Sequence, residues 1–125
     1  MKVRVRYIFV AVVFTIWGCS GSDITSASDI VFPATNVSFR SHVEPLFTLS
    51  CNVSGCHDYV AHAGGVDLTS WTGVRATNVV NQPGDTTCGL MQVIFARESH
   101  NGPINLNENH RHGLKQWVLE GAQNN

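Results

Sequence analysis

Apolar residues first fall into a sustained helical period at Phe39, Val43, Leu46 and Phe47, spaced i, i+4, i+7 and i+8, which lines one face of a helix. Ser38 is placed to cap its start. Pro45 interrupts the run, so a short helix, a kink and one further turn before Cys51 are expected. Asp58 to Val66 holds Gly64-Gly65 and reads as a loop. Ser70 is a cap for a short helix through about Val79 that buries Trp71 and Val74. After a Pro83-Gly84-Asp85 turn, Thr86 or Thr87 starts a third helix with Leu90, Met91, Ile94 and Phe95 on its apolar face. Ser99 to Asn105 is polar and reads as a loop. The last helix runs from about Asn107 to Glu120, burying Leu114, Trp117 and Val118, with Gly121 as its C-terminal cap. No alternating strand competes. The expected fold class is all-α, three to five short helices over 38–125.

The chain before this domain has a different pattern. Lys2, Arg4 and Arg6 precede a stretch from Tyr7 to Trp17 that is apolar apart from Thr15. A basic start, a short apolar run and a small residue at the cut describe a secretory signal peptide over 1–18. Eleven residues rise roughly 16 Å as a helix, about half of a ~30 Å hydrocarbon core. Ser20 to Val37 shows no sustained apolar period, so 19–37 is expected to be a flexible tether. The junction Ile16-Trp17-Gly18-Cys19 resembles a bacterial lipobox, with Trp17 where a small residue is usual. That resemblance implies lipidation at Cys19, a membrane attachment through the lipid anchor, and a cell-envelope location on the periplasmic or outer-membrane side. The plainer reading is an ordinary signal peptide with an incidental cysteine.

Charge narrows the partners. Without the leader, five Lys and Arg stand against nine Asp and Glu, a net charge of −4 over 107 residues. No basic stripe forms, so nucleic acid is not an expected partner. Export places the remaining cysteines in an oxidising compartment. No Ser-His-Asp, paired-carboxylate or phosphate-loop arrangement is present, so the chain is not expected to be an enzyme.

The informative segment is Cys51-Asn52-Val53-Ser54-Gly55-Cys56-His57. Two cysteines followed at once by a histidine form the signature of c-type haem attachment. Each thiol adds to one vinyl group of the porphyrin, and the next residue then lies under the ring with its imidazole in reach of iron. The usual spacing between the cysteines is two residues, whereas here it is four. A local disulfide suits that gap equally. Zinc is a weaker alternative, because Cys51, Cys56 and His57 lack a fourth ligand motif.

From Ser38 to Ala122 the chain resembles the small single-haem cytochrome c domains of lipoproteins from Bacteroidetes and planctomycete-like bacteria. The landmarks are Val43-Glu44-Pro45-Leu46-Phe47 ahead of the haem motif, Gly65-Val66-Asp67-Leu68 after it, Pro83-Gly84-Asp85 leading to Leu90-Met91, and Trp117-Val118-Leu119-Glu120-Gly121-Ala122 at the close. The resemblance implies a cytochrome c-like domain around one covalent haem c, attached at Cys51 and Cys56 and ligated by His57. It implies electron transfer with redox partner proteins. The family's sixth ligand comes from a Met-Pro-Pro loop, but here that loop reads Ser99-His100-Asn101-Gly102-Pro103-Ile104. His100 stands about where the methionine would be; Met91 and an open position are the alternatives. Imidazole in place of thioether lowers the reduction potential. Phe39, Phe47, Trp71, Leu90, Ile94, Phe95 and Trp117 are expected to pack around the macrocycle as well as on one another, leaving the apoprotein partly unfolded. His42, His110 and His112 are expected at the surface, His62 in a plain loop, and Cys88 as a buried free thiol. The competing functions are a haem-based sensor or small-ligand binder, which needs a vacant sixth position, and a disulfide-stapled module without haem.

Overall fold

The computed structural model describes residues 23–96, 100 and 104–125. Among these the chain is helical with no strand, in agreement with the all-α expectation. A π-helical turn at Phe39–Val43 runs directly into α1 (Glu44–Ser50). Pro45 explains the wide turn. It has no N–H to give back to the preceding turn, and Val43 and Glu44 bond instead five residues back, to the carbonyls of Ser38 and Phe39. The expected kink is thus taken up as a widened turn.

Helix α2 (Trp71–Ala76) begins at Ser70, whose hydroxyl accepts from the Gly73 N–H at 3.0 Å. It stops before the expected Val79, because Asn78 takes a left-handed conformation with φ +57°. Helix α3 (Gly89–Met91) continues into a second π turn, Gln92–Ala96. Its start lies beyond Thr86 and Thr87, because the Asp85 carboxylate accepts from both the N–H and the hydroxyl of Thr87 and closes a local turn.

Helix α4 (Glu108–Leu119) is the centre of the core. The Asn107 side chain caps it, accepting from the His110 N–H at 2.8 Å. At its end Gly121 (φ +99°) and Ala122 donate back to Val118 and Trp117, the Schellman closure that the left-handed glycine permits. Leu114, Trp117 and Val118 are fully buried among Val43, Leu46, Phe47, Val74 and Val80, and Phe39 tilts onto Trp117 at 5.7 Å. Burying each large side chain contributes about 1.5–3 kcal/mol. Both core indoles reach a carbonyl: Trp71 donates to Ala122 and Trp117 to Gln123.

The expected tether over 19–37 requires correction in its described part. A capped 3-10 turn, Ala27–Asp29, opens a strap that packs along α4. Ile30, Phe32 and Val37 are buried in the core. The Asn109 side chain accepts from Phe32 N–H at 2.8 Å and donates to its carbonyl at 3.1 Å, while the Glu120 carboxylate accepts from the N–H groups of Asn36 and Val37. Among the described residues the folded unit therefore includes the segment from Ser26 onward and not only that from Ser38. The leader and Cys19 lie outside the described residues. No helix among the described residues is long and apolar enough to cross a membrane.

Candidate functional site

The segment from Cys51 to His57 is a closed loop seated on the end of α1. Cys51 and Asn52 both donate to the Phe47 carbonyl at 2.8 Å. Cys56 donates to Val53, and His57 donates to the Cys51 carbonyl at 3.2 Å. This last bond draws the two ends of the motif together despite the four residues between the cysteines, and Gly55 (φ +85°) supplies the turn. The Asp58 carboxylate accepts from the N–H groups of Ala61, Gly55 and Val60 at 2.6–2.8 Å. Those bonds hold its carboxyl below the usual carboxylate range. On the far side Leu68 donates to the His57 carbonyl, and the Asn52 amide donates to the Leu68 carbonyl.

Cys51, Cys56, His57 and His100 all line one cavity of about 480 Å³. Its remaining wall is mostly apolar, with Val66 and Leu68 from the motif side and Leu90, Val93, Ile94 and Leu106 opposite. The ring centres of His57 and His100 are 5.9 Å apart, with planes inclined at 46°. Nδ1 of His57 is buried and has no hydrogen-bond partner. Burial, and secondarily the nearby Cys56, push the Cys51 thiol up to about 12. Cys51 and Cys56 are not joined to each other. Among the described residues no three His, Cys, Asp or Glu side chains cluster tightly enough to hold a metal ion between them.

Met91 does not share this cavity. It is buried on α3 and lines a separate hollow of about 410 Å³ with Phe95 and Lys115. His62 lies outside as well, exposed and edge-on to Tyr59 at 6.0 Å. Of the seven large side chains expected around a macrocycle, Leu90 and Ile94 line the cavity. Phe39, Phe47 and Trp117 belong to the core around α4, Trp71 packs against that core, and Phe95 is 47% exposed. Cys88 is buried, as expected.

Two histidines, one at the start of α4 and one on the first π turn, depart from the surface reading. His110 is 2% exposed, with Nε2 on the Ile30 carbonyl at 3.1 Å and Nδ1 accepting from Asn107 N–H. His42 is half-buried, accepts from Ser38 N–H and stacks on Phe32. Arg111, which sequence reasoning passed over, is buried and donates from Nη1 to the Ile94 carbonyl, tying the second π turn and the cavity wall to α4. Nothing in its charged side chain signalled burial.

No protein-family model matches the chain, and neither a curated protein nor a solved structure matches it.

Proposed function

We propose that this chain is an exported, lipid-anchored c-type cytochrome that carries one covalent haem and passes electrons to a protein partner. The observation that carries the reading is the pairing of His57 with His100 in the cavity that Cys51 and Cys56 also line. The two rings lie 5.9 Å apart on the wall of the cavity that both thiols line, so His57 and His100 are the residues that would hold the iron. The cavity also falls within the roughly 300–1,000 Å³ of cofactor and ligand sites.

The donors suit the group. Cys51 and Cys56 are unjoined thiols, held at the two ends of a loop that the His57–Cys51 backbone bond closes. His57 and His100 are nitrogen ligands of the kind haem iron takes. When bound, the haem supplies one-electron chemistry at its iron. The chain fixes the ligands, keeps water away with Val66, Leu68, Leu90, Ile94 and Leu106, and anchors the attachment loop through Asp58. Two imidazoles favour a lower potential than an imidazole and a thioether would. Met91, placed on another cavity, is not proposed as a ligand. The lipid anchor rests on Cys19 and the apolar leader alone.

A spectroelectrochemical titration of protein matured beside a haem-attachment system tests the function. A single reversible one-electron transition, low-spin in both states, is expected. A protein with no redox-active absorbance would overturn the electron-carrier reading.

A further inference from the structure

We infer that the buried guanidinium of Arg111 raises the reduction potential of the site, opposing the pull of the two imidazoles. The inference rests on the haem reading above. It also rests on a charge that is present whether or not the cavity is filled, since a guanidinium is a fixed cation in proteins. Arg111 is 4% exposed, and among the described residues no other Arg, Lys, Asp or Glu is buried.

The fold places that charge behind the cavity wall. Nη1 of Arg111 donates to the carbonyl of Ile94, and Ile94 lines the cavity together with His100 and Leu106. Leu106 directly precedes Asn107, the cap of α4, so the positive end of that helix lies on the same side. Little offsets the cation. Among the described residues its ion-pair partner is Glu108, at 4.0 Å, whose side chain is 80% exposed and therefore screened by water. The described residues that line the cavity include no Asp, Glu, Lys or Arg. A charge in apolar surroundings reaches further than one in water. Oxidation removes one electron and leaves an added positive charge at the iron. A fixed cation behind the wall disfavours that state, which raises the potential, whereas ligation by two imidazoles lowers it.

The test compares the midpoint potential of haem-loaded full-length protein with those of Arg111→Gln and Arg111→Met. Both variants drop the charge; Gln keeps an N–H for the Ile94 carbonyl, and Met keeps only the bulk. A haemochrome assay on each sample comes first. An unaltered protein without haem would overturn this inference together with the cytochrome reading. With haem bound and the low-spin spectrum retained, both variants are expected to favour the oxidised state by about tenfold more, or about 59 mV for one electron. An unchanged potential in Arg111→Gln, or a fall in Arg111→Met alone, would overturn the inference and leave the cytochrome reading intact. Loss of haem or of the low-spin spectrum in both variants would overturn it too, by assigning Arg111 to the structure of the wall.

Discussion

The Phe32 ring fills the space a β-carbon on Gly113 would need, so the strap and α4 meet at a point where only glycine fits. This contact converts the polar segment before Ser38 into part of the core. Gly113→Ala is expected to destabilise the domain by about 1–3 kcal/mol, as overpacking does, and Phe32→Ala by about 3–5 kcal/mol. Chemical denaturation reads both. In the double variant the alanine at 113 should cost far less, because the clashing ring is gone. Strictly additive losses would contradict the packing.

Glu120 fastens the same strap and makes it sensitive to acid. Its carboxyl is held below the usual range by the Gln116 amide and by the N–H groups of Val37 and Asn36. A depressed folded-state value means that the contribution is complete above the ordinary 4.5 and is lost as pH falls through the folded value. The protection of the Asn36 and Val37 amides against exchange, relative to the unstructured rate at the same pH, should therefore fall below about pH 4.5. In Glu120→Gln that step should vanish. A step of equal size in the variant would assign the acid response to another group.

Removing haem attachment should affect the two halves of the molecule differently. The core around α4 closes on itself, whereas Leu90, Ile94 and Leu106 present side chains to the cavity. The partial unfolding expected of the apoprotein is accordingly assigned to the cavity walls. In Cys51→Ala/Cys56→Ala, hydrogen exchange should be rapid across 51–68, 89–96 and 104–106 and slow within α4. Rapid exchange throughout α4 would contradict this division.

Carbon monoxide distinguishes the electron carrier from a ligand sensor. With His57 and His100 both on iron, the reduced protein should show no immediate spectral change on adding the gas. His100→Ala should become high-spin and bind it at once. Prompt binding by the unaltered protein would show that the sixth position is vacant.

Much of the fold was legible in the sequence because its signals are local. Asn107, Leu114, Trp117, Val118 and Gly121 mark α4 through caps and a helical period, and the structure differs from that reading by one residue at each end. The strap was not legible. Ile30, Phe32 and Val37 follow no single period, and their partners Asn109 and Glu120 lie more than seventy residues away. His110 was misjudged for the same reason, since its burial depends on Ile30, and Arg111 was passed over because its partner, the Ile94 carbonyl, lies on another element. At the site, the adjacency of Cys56 and His57 pointed to one wall of the cavity. His100 was picked out from its place in the loop before the last helix, where the resembled family carries a methionine, while its 5.9 Å approach to His57 is visible only in the folded chain.

A pyridine haemochrome spectrum, taken with the intact mass of protein matured under haem-replete conditions, reports whether Cys51 and Cys56 carry haem. A thioether-type spectrum and a mass raised by one haem per chain are expected. A colourless protein lighter by two hydrogens, with Cys51 and Cys56 joined to each other, would contradict the proposed haem attachment.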